Sequence, residues 1–283
     1  MTDLLTMAYS PCPNDTFVFH AWAHGLVPGA PELKVTYADI DVTNGWAAAG
    51  TGPEVLKISY AALPWVLDRY KLLSCGGALG RGCGPLVLTG GGPRAAKRPQ
   101  DLAGRRVAVP SERSTAYLLF RLWAAGHIPG GVGEIVVMPF HEIMPAVRDG
   151  QIDAGLVIHE ARFTYPSYGL NLLTDLGSWW ESDTGLPIPL GAIIARRDLD
   201  AEAIEGWIRG SLKYAWEHPT ASREYVLQHA QELSPEVAKS HIDLYVNDFT
   251  MNLGDSGYAA VSSLLERAAA EGLVPAFDPQ QLR

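Results

Sequence analysis

Four short segments place polar or titratable residues directly after apolar runs, and each could do chemistry there. Ser10-Pro11-Cys12-Pro13-Asn14-Asp15-Thr16 follows Leu4–Tyr9, and Lys57-Ile58-Ser59-Tyr60 closes Val55–Ser59. Pro110-Ser111-Glu112-Arg113-Ser114-Thr115-Ala116 follows Arg106–Val109, and His159-Glu160 follows Ala154–Ile158. A lysine offers a point charge to a carboxylate or phosphate. Hydroxyls and backbone N–H groups at a helix start, as at Ser114 and Thr115, form an anion site. An imidazole such as that of His159 is the usual general base near neutral pH. Each residue also has a plain structural reading. Asn14, Asp15, Ser59, Ser114 and Thr115 are good helix caps, Lys57 could extend along the surface, and a lone histidine is often only packed.

Other motifs fail on their spacing. The glycine run Gly76-Gly77-Ala78-Leu79-Gly80-Arg81-Gly82-Cys83-Gly84-Pro85 lacks the G-x-G-x-x-G order, and Pro85 leads into a strand rather than a helix. It reads as a turn in which backbone approaches backbone or ligand. His141-Glu142 and His159-Glu160 have Pro145 and Phe163 where a zinc-protease helix needs its second histidine, so no metal site is expected at either. There is no Walker A sequence and no G-x-S-x-G elbow.

The residues must be positioned by the elements around them. Candidate strands are Leu4–Tyr9, Lys34–Ala38, Val55–Ser59, Leu86–Thr89, Arg106–Val109, Ile135–Met138, Ala154–Ile158 and Leu190–Ala195. Helical patterns lie between them at Asp15–Trp22, Tyr60–Leu67, Thr115–Ala124 and Glu142–Val147. That alternation predicts parallel sheets covered by helices. After about Asp198 helical patterns follow one another: Ser234-Pro235 has the form of a cap with proline at the first helical position, and Tyr258, Val261, Leu265 and Ala268 recur at helical spacing. Turn-rich stretches at Gly90-Gly91-Gly92-Pro93 and Gly185-Leu186-Pro187-Ile188-Pro189 mark two chain crossings. The expected organisation is a discontinuous larger α/β domain, 1–90 plus 188–283, with a smaller α/β domain, 91–187, inserted. Ligands of open α/β sheets sit beyond the carboxyl ends of the strands. Asn14 and Lys57 fall there in the first domain, and Ser114, Thr115 and His159 in the second, so a central cleft with anion donors on both walls is the simplest picture.

Composition narrows the class. With 22 basic and 31 acidic residues the net charge is −9, which argues against nucleic acid or an anionic membrane as the main partner but leaves room for a small anionic substrate. Every long apolar stretch is interrupted before about 18 residues, so no membrane span is expected. The opening Met1-Thr2-Asp3-Leu4-Leu5-Thr6 lacks the basic start and apolar run of an export leader. Three scattered cysteines suit a reducing, cytoplasmic setting.

The motifs also carry a family resemblance. Ser10-Pro11-Cys12-Pro13-Asn14-Asp15-Thr16-Phe17, Lys57-Ile58-Ser59-Tyr60-Ala61-Ala62, Gly76-Gly77-Ala78-Leu79-Gly80-Arg81-Gly82, Ser114-Thr115-Ala116-Tyr117, Ile158-His159-Glu160-Ala161-Arg162-Phe163-Thr164-Tyr165 and Gly185-Leu186-Pro187-Ile188-Pro189-Leu190-Gly191 occur in order over nearly the whole chain. Together they resemble the 1,4-dihydroxy-6-naphthoate synthases of menaquinone biosynthesis. The resemblance implies a fold like that of type II periplasmic binding proteins, in a cytoplasmic carbon–carbon lyase. It implies cyclic de-hypoxanthine futalosine as substrate, a three-carbon sugar fragment (dihydroxyacetone) as second product, and no metal or organic cofactor. It implies His159 as base, and substrate contacts from Lys57, Ile58, Ser59, Ser114, Thr115 and Ala116; Asn14 joins them from its position. Two rivals share the scaffold, a related chorismate dehydratase-type enzyme and a non-catalytic small-molecule binding protein.

Overall fold

The computed structural model describes residues 4–230 and 234–283. Met1, Thr2 and Asp3, on which part of the leader argument rests, lie outside the described residues. In chain order the first elements are β1 (Leu4–Tyr9), α1 (Pro13–Ala23), β2 (Glu32–Tyr37), α2 (Ile40–Ala49), β3 (Val55–Ser59), β4 (Tyr70–Leu72) and β5 (Ala78–Gly80). Next come β6 (Leu86–Thr89), β7 (Arg106–Val109), α3 (Thr115–His127), β8 (Glu134–Val137), α4 (Phe140–Arg148), β9 (Ala154–Val157), α5 (Ala161–Thr164), β10 (Asn171–Asp175) and α6 (Leu176–Thr184). The chain closes with β11 (Ile188–Arg196), α7 (Ala201–Glu217), α8 (Arg223–His229), α9 (Pro235–Tyr245), α10 (Asp248–Met251) and α11 (Gly254–Ala270). Two compact units result: Met1–Gly80 with Pro189–Arg283, and Arg81–Ile188. The sequence reading divides the chain at 90/91 and 187/188; β6, which precedes that first division, lies in the sheet of the second unit.

The sheet of the first unit has the order β2-β1-β3-β11-β4, with β5 paired to β11. β1 runs parallel to β2 and β3, whereas β11 is antiparallel to both β3 and β4. The second sheet has the order β10-β6-β9-β7-β8. There β7 is parallel to β8 and β9, and β6 is antiparallel to β9 and β10. The expected parallel sheets are therefore mixed. Strands joined through a helical crossover must come back parallel, which holds for β1-α1-β2-α2-β3 and β7-α3-β8-α4-β9. β6 and β11 each enter a sheet without such a crossover, and both run against their neighbours.

Local chemistry explains most element boundaries. Pro13 begins α1, where its missing N–H is harmless. α2 ends at Gly50 with φ 69°, the left-handed stop that glycine supplies. Ser234 accepts from the Val237 N–H at 3.4 Å, with Pro235 at the first helical position as read from sequence. The helix expected over Tyr60–Leu67 is instead a short 3-10 turn over Tyr60–Trp65, because Pro64 inside it removes a donor. Three strands escaped the sequence reading: β4 and β5 are only three residues long, and β10 begins and ends on polar residues.

The first core packs α1 and α7 on the sheet, with Tyr9, Phe19, Trp22, Ile193, Ile208 and Leu212 all buried. The second core joins Leu86, Leu88, Ala108, Ile143, Val147 and Val157. No described helix is long and apolar enough to cross a membrane.

A buried histidine lies on α1. His20 is 6% exposed, lies 4.4 Å from the His24 ring at a tilt of 35° and 5.5 Å from the Tyr225 ring of α8. Its Nδ1 finds no hydrogen-bond partner among the described residues. Burial first, and then the His24 imidazole, hold its pKa below the ordinary 6.5. The folded state thus takes up this proton less readily than the unfolded chain. The resulting stability is present above pH 6.5 and declines as pH falls through 6.5 towards the folded value. A His20→Phe variant should lose less stability than wild type between pH 7 and about 5, read as the urea midpoint across that range.

Candidate active site

In each sheet the chain leaves its first parallel strand to one side and returns on the other. β1 lies between β2 and β3, and β7 between β8 and β9. Such a strand pair is a topological switch point, and loops beyond its carboxyl ends form the ligand-binding edge. At the β1/β3 pair those ends are Tyr9 and Ser59; at the β7/β9 pair they are Val109 and Val157. All four segments singled out from sequence therefore belong to one or the other switch point.

In the first unit they form a buried polar cluster. Lys57 is the middle residue of β3 rather than its end, and its ammonium pairs with the Asp15 carboxylate on α1. The two side chains are 4% and 2% exposed. Asp15 also accepts from Asn14 Nδ2 at 2.8 Å and from Ser10 Oγ at 2.9 Å. Asn14 Oδ1 in turn lies 2.9 Å from His241 Nε2 of α9. Since a side-chain amide oxygen only accepts, His241 donates through Nε2. Ser59 is fixed by Asn44 of α2: its N–H donates to Oδ1 at 2.8 Å and its Oγ accepts from Nδ2 at 3.0 Å. Ile58 is fully buried, backbone included, within the sheet opposite Ala192 of β11. Gly191 on β11 makes room for the lysine, because a Cβ there would sit 2.7 Å from Lys57 Cε.

This cluster changes the reading of Lys57. It is neither a surface residue nor a bare point charge: an anion it meets shares it with Asp15. Sequence reasoning named Asp15 only as a cap and missed Asn44 and His241. His241 is 227 residues from Asn14, and nothing in its helix sets it apart from an ordinary packed histidine.

In the second unit Ser114 caps α3. Its Oγ accepts from the Tyr117 N–H at 3.1 Å and donates to the Ser111 carbonyl at 2.9 Å. Thr115 and Ala116 are the first two helical residues. Ser114, Thr115 and Ala116 are buried, 2–4% exposed as whole residues, at a helix start whose positive dipole end suits an anion. His159 stands beyond β9, the neighbour of β7, and is half-buried. Among the described residues it is the one non-glycine at positive φ, 53°. Its ring meets Phe140 edge-on at 5.5 Å and 87°. Three residues on, Arg162 pairs with Asp175 at 2.6 Å and donates to the Gly84 carbonyl at 2.8 Å.

Cys12, Cys75 and Cys83 are all buried. Burial pushes the Cys75 and Cys83 thiols up to about 12. Neither is a thiolate near neutral pH.

Two sheets of this topology with switch-point loops define a class, the α/β fold of periplasmic binding proteins. The periplasmic aliphatic sulphonate binding protein of Escherichia coli matches with a TM-score of 0.69 at 14% identity, over 99% of this chain and 92% of that one. The alkanesulfonate-binding protein of Xanthomonas axonopodis matches with a TM-score of 0.70 at 14% identity, over 97% of this chain and 95% of that one. At such identity the likeness shows the fold alone. Sequence similarity goes further. Residues 5–270 match the family described as menaquinone biosynthesis, and the chain belongs to that family. A 1,4-dihydroxy-6-naphthoate synthase of Streptomyces coelicolor is 67% identical over 99% of this chain and 98% of its own length. One of Thermus thermophilus is 47% identical over 96% of each. An Archaeoglobus fulgidus protein of known structure matches with a TM-score of 0.87 at 36% identity, over 96% of this chain and 99% of that one.

The buried pair yields a stability prediction. Lys57→Met leaves the Asp15 carboxylate buried without its counter-ion and should cost about 3–5 kcal/mol. The double variant with Asp15→Asn should lose less than the sum of the singles, because no lone charge remains. Urea unfolding of the four proteins measures both.

Proposed function

We propose that this enzyme is a 1,4-dihydroxy-6-naphthoate synthase that converts cyclic de-hypoxanthine futalosine to 1,4-dihydroxy-6-naphthoate and releases dihydroxyacetone, a carbon–carbon lyase reaction. The near full-length identity to two synthases of that name carries the reading of the reaction. The backbone of His159 carries the reading of its chemistry. A β-carbon-bearing residue in left-handed conformation costs about 1–2 kcal/mol, and such strain clusters at functional sites.

His159 acts as general base. It takes a proton from a carbon made acidic by a neighbouring carbonyl; the released electron pair forms the new ring double bond as the adjacent carbon–carbon bond breaks, the three-carbon fragment leaves with the electrons of that bond and takes the proton back from the imidazolium, and aromatisation of the remaining ring drives the step. Phe140 meets the imidazole edge-on. Substrate contacts come from Asn14, Lys57, Ile58 and Ser59, and from Ser114, Thr115 and Ala116 at the α3 start. The Lys57 ammonium and the positive end of α3 suit a carboxylate or sugar hydroxyls. The proposed step calls on no metal or organic cofactor. Three buried thiols support a reducing, cytoplasmic setting.

The test is mass-spectrometric turnover of cyclic de-hypoxanthine futalosine by wild type, His159→Ala and His159→Gln. Loss of a general base should lower kcat by about 10²–10⁴ while substrate binding, followed by calorimetry, stays largely intact. Unchanged turnover in the variants would remove His159 from the chemistry. Substrate left intact by wild type would overturn the reaction itself and favour a binding protein.

A further inference from the structure

The His159 turn joins a paired strand to a short helical segment. Upstream it is anchored, since β9 pairs with β6 on one side and β7 on the other. Downstream lie α5, four residues long, and a 3-10 turn over Tyr165–Tyr168, each far too short to be stable alone. The bonds of α5 to the turn include a 3.4 Å contact from the Arg162 N–H to the His159 carbonyl, a 2.9 Å bond from the Phe163 N–H to the Glu160 carbonyl and a 3.4 Å contact from Thr164 Oγ1 to the same Glu160 carbonyl.

The Arg162 side chain adds two bonds from the turn to residues distant in sequence. β6 runs antiparallel to β9, so Leu86 stands opposite Val157; β10 runs antiparallel to β6, so Asp175 stands opposite Leu86. Gly84 and Asp175 therefore lie at the same sheet edge as the His159 turn. Arg162 bonds both, the Gly84 carbonyl at 2.8 Å and Asp175 Oδ2 at 2.6 Å, with its side chain 19% exposed. Its targets are themselves rigid. Asp175 Oδ1 caps α6 through the Gly177 and Ser178 N–H groups, at 2.9 and 3.2 Å. The Leu176 N–H bonds the Pro85 carbonyl at 2.9 Å. Gly84 and Gly177 are in contact: a Cβ on Gly84 would fall 2.1 Å from Gly177 N, and one on Gly177 2.6 Å from Gly84 N. Only glycine fits at either position, which gives part of the glycine run a purpose that nucleotide binding did not.

We infer that Arg162 is a positioning residue, clamping the turn after β9 to the Gly84/Asp175 edge so that the strained backbone of His159 holds its imidazole in one place. The inference rests on His159 being the base. Arginine suits the task because its planar fork serves two acceptors at once, which a lysine ammonium does less well.

The experiment uses the full-length enzyme and the turnover assay above. Arg162→Met should lower kcat by about 10- to 100-fold, the scale of a displaced catalytic group, with KM changed by less than about threefold. Arg162→Lys should fall between it and wild type. Asp175→Asn keeps the Oδ1 cap but loses the charged partner of Arg162. It should lower kcat in the same sense, and the double variant should be no worse than Arg162→Met alone. In a His159→Ala background Arg162→Met should reduce the residual turnover no further, since a residue acting through the imidazole has nothing left to place. A merely structural tie would lower the melting temperature and leave kcat and KM per folded molecule at wild-type values, which overturns the inference. If Arg162→Met fails to fold, wild-type kcat in folded Asp175→Asn overturns it equally. Full turnover in His159→Ala would instead sink the base assignment and this inference with it; loss in His159→Ala with none in the Arg162 and Asp175 variants sinks the inference alone.

Discussion

A helical crossover between two neighbouring strands of one sheet returns the chain parallel, so every strand in such a series ends at the same edge. That constraint organises the protein twice. In β1-α1-β2-α2-β3 and again in β7-α3-β8-α4-β9 the series turns about its first strand. Each turnabout opens a gap between the loops at one edge, and the chain fills it with polar groups: Ser10 to Asp15 with Lys57 and Ser59 in one sheet, Ser111 to Ala116 with His159 in the other. The strands without crossovers, β6 and β11, complete the hydrogen bonding and bring support from distant sequence: β6 brings Gly84 beside the His159 turn, and β11 brings Gly191 beside Lys57.

The two edges use different physics. At the first, a lysine and an aspartate are taken out of water together. The desolvation is offset by their attraction and by donors from Asn14 and Ser10 on the same carboxylate. The result is a pre-arranged polar surface whose geometry is set before any ligand arrives, which is how a site avoids reorganisation during binding or reaction. At the second, strain replaces charge. His159 is held in a backbone conformation that a side chain disfavours, and the surrounding bonds from Arg162, Asp175 and the paired glycines over-determine it.

Much of the fold was legible because strand and helix periodicity are local properties. Leu4–Tyr9, Val55–Ser59, Leu86–Thr89 and Arg106–Val109 form strands over those residues, and α1 and α3 begin within two residues of the expected starts. What failed was governed by pairing or by single residues. Strand direction in β6 and β11 depends on how the chain enters the sheet, which no local pattern records. Pro64 turned an apolar helical pattern into a 3-10 turn. Short β4 and β5 owe their existence to β11 beside them.

The same division runs through the site. The sequence by itself determined which residue types could meet a small anion or move a proton, because those properties belong to the side chain: Asn14, Lys57, Ser114, Thr115 and His159. Order along the chain also determined the family. Only the tertiary structure decided what each group experiences. It buried Lys57 against Asp15, joined Asn14 to His241 across 227 residues, gave His159 its left-handed backbone, and placed Arg162 on Gly84 and Asp175. Identity is written residue by residue, but burial, partner and backbone strain arise from contacts between segments far apart in the chain, and those exist only once the sheets have formed.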